Sequence, residues 1–308
     1  MSLLLPLEDS PYRLDEFGPI FILGCPRSGT TFLSKCLAAV DGLEEFVGVL
    51  APPRIMHLIG SCEDKPYQKE LMNCIRDVFW QSFWRRRYYR HERLLQLLQK
   101  NISIAQFMAA PSIDGTKFCY KEPFLCFAAE EFANYFPNAR FIHIIRDGRD
   151  NADSLERTYP DALSDEVLSD GFLAGNKNSE IGMYRENNGV CVPWWVAKGS
   201  EAEFIELPQY GKFIWMWKEM VGRARNVKAV DKSRYFEIRY EDFVKDPMEW
   251  AGRILNFLDV PMNERVRKKL KSAFASSIGI SLNNQKELQR GIAQKVAGEL
   301  LAELGYTE

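Results

Sequence analysis

Apolar residues in this chain fall into short unbroken runs separated by stretches with helical spacing. Ile20 to Leu23 reads as a buried strand, and Thr30 to Val40 as a helix with Phe32, Leu33, Cys36, Leu37 and Val40 on one face. Asp41-Gly42 stops that helix, and Val47 to Ala51 reads as a second short strand closed by Pro52-Pro53. From Tyr67 to Lys100 the positions Leu71, Ile75, Val78, Phe79 and Phe83, then Leu94, Leu95, Leu97 and Leu98, recur at helical intervals. Lys117 to Lys121 alternates like a strand, Phe124 to Tyr135 like a helix, and Phe141 to Ile145 is another apolar run. This β-α-β order predicts an α/β fold with a P-loop-like parallel sheet flanked by helices on both faces. Ligands of such sheets bind at the carboxyl ends of the strands, where Gly24, Lys121 and Arg146 all fall.

The pattern weakens between Tyr159 and Gly211, where glycines, prolines and the pair Trp194-Trp195 replace periodicity. An irregular segment of that length inside a compact domain reads as a lid or binding loop. Regular elements return as a helix from Phe213 to Val230, a strand from Tyr235 to Arg239, and helices at Met248 to Leu258, Asn263 to Phe274 and Glu287 to Leu304. The expected organisation is one domain over residues 1–308, with a helical insertion at about 52–110 and a lid-like insertion at about 159–211.

Composition changes this picture little. Hydrophobic residues make up 46% and charged residues 27%, as in globular proteins, and the net charge of −2 argues against a nucleic-acid partner. Seven cysteines with no Cys-x-x-Cys pair point to free thiols in a reducing, cytoplasmic setting. The three histidines, His57, His91 and His143, lack metal-ligand spacing, so no metal site is expected, and His143 reads as core. No run approaches the roughly 18 apolar residues that span a bilayer, so no membrane span is expected.

Candidate chemistry begins in the loop from Gly24 to Thr31, a glycine-bracketed turn that opens a helix and suits an anion. Its spacing fits the P-loop pattern, except that Thr30 stands where the lysine belongs and Arg27 supplies the cation. The missing lysine argues against a nucleotide or small-molecule kinase. A second anchor follows the predicted strand Phe141 to Ile145, where Arg146 and Ser154, eight residues apart, are placed to address a second phosphate. Arg85, Arg86, Arg87, Arg90 and Arg93 form either a solvated helix face or a surface for an anionic acceptor or the phosphate arm of a carrier protein. A non-catalytic partner-binding protein using that face is the remaining alternative.

Pro26-Arg27-Ser28-Gly29-Thr30-Thr31 resembles the 5′-phosphosulfate loop of sulfotransferases that use 3′-phosphoadenosine 5′-phosphosulfate (PAPS). With Cys119 to Phe124, Phe136 to Ser154, Arg239 to Pro247 and Ala297 to Tyr306, the chain resembles the bacterial sulfotransferase family related to tyrosylprotein sulfotransferases. The resemblance implies sulfuryl transfer from PAPS to an acceptor hydroxyl or amine, giving adenosine 3′,5′-bisphosphate (PAP). It implies that Arg27, Ser28, Gly29, Thr30 and Thr31 hold the phosphosulfate, that Arg146 and Ser154 hold the 3′-phosphate, and that Tyr240 lies beside the nucleotide. Lys121, in Tyr120-Lys121-Glu122-Pro123, matches a lysine that reaches the sulfuryl group. The acceptor is expected to be a small molecule or a carrier-bound group.

Two departures stand out. Where related enzymes carry a glutamate after the second strand, this chain reads Val47-Gly48-Val49-Leu50, leaving His57, Glu122 and the pair Glu44-Glu45 as candidate bases. The basic loop expected to close over the 3′-phosphate has no tryptophan between Ser281 and Arg290, so Lys286 or Arg290 takes its place.

Overall fold

The computed structural model describes residues 18–46, 51–88, 90–98, 104–108, 117–170, 184–271 and 287–306. Its centre is a five-stranded sheet made of β1 (Ile20–Leu23), β2 (Leu43–Phe46), β3 (Lys117–Lys121), β4 (Arg140–Ile145) and β7 (Tyr235–Arg239). The spatial order is β2-β3-β1-β4-β7, and every pairing is parallel. The first strand therefore lies between the two whose ends carry Lys121 and Arg146. Register places Ile22 opposite both Lys121 and Ile142.

Side chains alternate across the sheet because successive strand residues face opposite ways. Ile20, Ile22, Cys119, Ile142, Ile144 and Ile238 face one core, which is covered by α1 (Thr30–Leu37) and by the helices Pro247–Phe257 and Glu264–Leu270. Phe21, Leu23, Phe118, Tyr120, Phe141 and Ile145 face the other and larger core. Phe21 lies there among the rings of Phe132, Phe141, Phe136 and Phe79, with centroids 5.2 to 6.2 Å away. Full burial of such a ring is worth about 1.5–3 kcal/mol, so this cluster fastens the helices onto the sheet.

Between β2 and β3 the described residues form α2 (Ala51–Ser61), α3 (Lys65–Tyr88), α4 (Arg90–Leu98) and α5 (Ile104–Met108). The second strand lies at Leu43–Phe46, upstream of the expected Val47–Ala51, and Ala51 opens a helix instead. Val47 to Leu50 fall outside the described residues. The shift has a physical reason. An edge strand buries only Leu43 and Phe46 and leaves Glu44 and Glu45 half-exposed, so it lacks the unbroken apolar run that marks a central strand.

The expected helix at Phe124–Tyr135 is two pieces, a 3-10 helix at Pro123–Ala128 and α6 (Ala129–Tyr135). After β4 comes α7 (Gly148–Thr158). The segment read as irregular carries α8 (Asp165–Ser169) and a hairpin of β5 (Tyr184–Asn187) and β6 (Val190–Pro193), followed by α9 (Glu201–Glu206). The long helix α10 spans Gln209–Arg225 and ends before the expected Val230, because a separate short helix covers Val227–Asp231. No described helix is long and apolar enough to cross a membrane.

Candidate functional site

Three strand ends meet at the carboxyl edge of the sheet. From β1 the chain turns through Gly24 to Gly29 and enters α1. Gly24 N–H donates to Cys126 Sγ at 3.2 Å, which ties the loop to the 3-10 helix that follows Lys121. Burial pushes the Cys126 thiol up to about 12 and the Cys25 thiol well above its usual value, so both pack as neutral side chains.

Gly29 is the N-cap of α1, with a left-handed φ of 89° and no side-chain cap bond. A Cβ there would lie 2.6 Å from the Tyr240 ring, so glycine answers both the conformation and the space. The N–H groups of Gly29, Thr30 and Thr31 have no acceptor within the helix, and the helix dipole adds positive potential at the same point. Arg27 and Thr31 are exposed, Thr30 and Ser28 are buried, and Ser28 N–H already closes the turn onto the Cys25 carbonyl at 3.1 Å. The Ser28 hydroxyl points beneath the loop, where Asn151 Nδ2 donates to it at 3.0 Å.

The second anchor is linked to the first. Arg27 Nε donates to Ser154 Oγ at 3.2 Å, and Arg146 donates to the Arg27 carbonyl at 3.1 Å. Arg146 is almost fully buried, with its guanidinium 5.2 Å from the Tyr240 ring centre and 3.7 Å from Asp150 Oδ2. The structure thus brings together Arg27, Gly29, Thr30, Arg146, Ser154 and Tyr240. Strand order in the sequence already sets Gly24, Lys121 and Arg146 at one edge, and the structure adds the contacts of Arg27 with Arg146 and Ser154.

Asp147 caps α7 and holds Arg149 in a two-pronged ion pair. The close approach of α10 shapes this turn: Trp217 Nε1 donates to the Arg146 carbonyl at 3.0 Å, and a Cβ on Gly148 would meet the Trp217 ring at 2.7 Å. From behind, Glu241 accepts both the Asp147 N–H and the Tyr306 hydroxyl at 2.9 Å. Burial raises the Glu241 carboxyl above its ordinary range. Asn151, Trp217, Glu241 and Tyr306 escaped sequence reading. Only Asn151 carried a local signal, its place three residues before Ser154 on the same helical face.

Lys121 is half-buried at the end of β3, and Glu122 follows as the cap of the 3-10 helix, accepting Phe124 N–H at 3.1 Å. Burial raises the Glu122 carboxyl, against opposing pulls from that hydrogen bond and from Lys121. His57 lies on α2, which packs on the same 3-10 helix, and its ring meets Trp194 edge-on at 6.3 Å. Glu45 accepts the Ser34 hydroxyl of α1, so it serves the helix-covered face rather than the strand ends. Lys286 lies outside the described residues, and Arg290 is exposed on the helix Glu287–Glu303. Of the arginine cluster, residues 83–92 fall outside the described side chains, while Arg93 donates to the Phe107 carbonyl at 2.7 Å.

Taken together, an uncapped helix N-terminus with one arginine lies beside a buried arginine with a serine. That donor set suits a nucleotide bearing two separate phosphate groups. A model of the sulfotransferase family matches residues 19–163 and 195–264, and the chain belongs to that family. Among its relatives is the protein-tyrosine sulfotransferase of Drosophila melanogaster, 26% identical over 259 residues, which cover 82% of this chain and 40% of the relative. Protein-tyrosine sulfotransferase 1 of Danio rerio is 23% identical over 289 residues, 92% of this chain and 64% of the relative. The chain therefore spans less than two thirds of either relative. The sulfotransferase domain from the curacin biosynthetic pathway shares the fold, with a TM-score of 0.52 and 18% identity over 92% of this chain and 97% of that one.

Proposed function

We propose that this protein moves the sulfuryl group of PAPS onto an acceptor hydroxyl or amine and releases PAP. The observation that carries the reading is the hydrogen-bonded junction of Arg27 and Arg146 at the uncapped start of α1. The Gly29, Thr30 and Thr31 amides with Arg27 would hold the 5′-phosphosulfate, with Ser28 shaping the turn from below. Arg146 and Ser154 would hold the 3′-phosphate, and Tyr240 would lie beside the nucleotide.

PAPS supplies an activated sulfuryl group whose bond to the 5′-phosphate oxygen breaks as the acceptor atom bonds to sulfur. Lys121 and Arg27 stabilise the negative charge that builds on the departing oxygen, an electrostatic role that needs only fixed geometry. Glu122 accepts the acceptor's proton. Its place beside Lys121 and its raised pKa favour it over His57, which is turned toward Trp194. Because phosphosulfate carries less charge than a triphosphate, the lysine, arginine and amide donors suffice without a metal ion.

The acceptor would be a small molecule or a carrier-bound group. Trp194 and Trp195 pack on Phe127, with ring centres 5.2 and 5.7 Å away, on the 3-10 helix that follows Lys121. Seven unpaired cysteines favour a cytoplasmic setting. Calorimetry tests the reading directly. PAP should bind without magnesium, and tight binding of magnesium-ATP with no binding of PAP would replace sulfotransfer by a kinase reaction.

A further inference from the structure

Three consecutive residues of the anion loop are pinned from outside it. Asn151, fully buried in the second turn of α7, donates from Nδ2 to the Pro26 carbonyl at 2.9 Å and to Ser28 Oγ at 3.0 Å. Arg146 donates to the Arg27 carbonyl between them at 3.1 Å. A carbonyl oxygen only accepts, so the Asn151 amide nitrogen must face Pro26, and the orientation of the amide follows from chemistry. The residue in the middle needs this support. Arg27 has a left-handed φ of 73°, a conformation that costs a residue with a Cβ about 1–2 kcal/mol.

We infer that Asn151 is a positioning residue for the 5′ side of the nucleotide site. Its two hydrogen bonds bracket Arg27 and hold the backbone turn that aims the Arg27 guanidinium and the free amides at a 5′-phosphate. Arg146 and Ser154 each share one hydrogen bond with Arg27, but their own backbone is fixed by β4 and α7 and not by those two bonds. Loss of Asn151 should therefore be felt at one phosphate and not at the other. The inference rests on the nucleotide reading above, and the test separates the two.

Adenosine 5′-phosphate, adenosine 3′-phosphate and PAP are titrated by calorimetry into the wild-type chain, Asn151→Leu and Asn151→Asp. Leucine keeps the volume without donors, and aspartate places an acceptor against the Pro26 carbonyl. Both variants should weaken the 5′-phosphate and PAP by roughly tenfold, the worth of two ordinary hydrogen bonds, and leave the 3′-phosphate within about twofold. Unchanged 5′-phosphate affinity, or equal loss for both monophosphates, overturns the positioning role. Failure of the wild type to bind PAP instead sinks the nucleotide reading itself. Ser28→Ala keeps Asn151 and its bond to Pro26, so it serves if the other variants do not fold. It should cost about threefold for the 5′-phosphate alone, and no loss there also overturns the inference.

Discussion

His143 offers a prediction whose size can be worked out. It sits in the middle of β4 with no solvent exposure, and its Nδ1 is hydrogen-bonded to the Tyr235 hydroxyl, which in turn donates to Glu237 Oε2 at 3.0 Å. Arg225 and Lys228 hold Glu237 from the far side at 3.0 and 2.9 Å. Burial pushes the imidazole down from 6.5 to about 3, Glu237 pulls the other way, and Arg225 and Lys228 add to the fall. Because the folded pKa is depressed, the unfolded chain binds the proton first as pH falls. Stability is then full above about 6.5 and declines toward about 3. Between about pH 7 and pH 5, linkage gives a loss of about 2 kcal/mol from this one residue. Urea unfolding of the wild type and His143→Gln at both pH values measures it. The variant should lack that part of the acid slope, whereas parallel slopes would show that His143 is not held neutral.

At the site, Gly29→Ala must place a Cβ 2.6 Å from the Tyr240 ring in a left-handed turn, at a conformational cost of about 1–2 kcal/mol. PAP affinity should drop at least tenfold by calorimetry, and retained affinity would show that the turn relaxes without disturbing Tyr240 and Arg146. Arg146→Ala removes a buried guanidinium and should weaken PAP by about 10- to 100-fold, whereas Lys121→Ala should leave PAP binding nearly intact and lower kcat in a labelled-PAPS assay. Glu122→Gln keeps the cap on Phe124 N–H through its amide oxygen but cannot take a proton, so turnover should fall by about 100-fold with PAP affinity retained. In the wild type, the acid limb of kcat should lie above the ordinary carboxylate range, because burial raises Glu122. Full activity in Glu122→Gln together with its loss in His57→Gln would move the base to α2.

The two anchors were legible because each is written in one short segment. Gly24 to Thr31 and Arg146 to Ser154 carry their glycines, cations and helix starts within nine residues or fewer, and the strands that precede them are buried and mostly apolar. What joins them was not legible. Asn151 meets Pro26, and Tyr306 meets Glu241, across separations that leave no periodic trace in the chain. The second strand falls at Leu43–Phe46 and not at Val47–Ala51 because it is an edge with two acidic residues, while Val47 to Leu50 next to it look more like a strand. The hairpin inside the 159–211 segment was hidden for a related reason, since Tyr184–Asn187 alternates too weakly to register.

The strand order also governs how the protein comes into being. β1 carries the anion loop and precedes both its neighbours in the chain, its hydrogen-bonding partners being Cys119 to Lys121 on one side and Arg140 to His143 on the other. Closing loops of about a hundred residues is entropically expensive and slow, so the loop stays without its scaffold until β3 and β4 have left the ribosome. A nascent chain halted before β3 would contain the whole glycine turn and bind nothing. With PAP bound as proposed, recovery of its affinity during refolding would accordingly report completion of the central sheet.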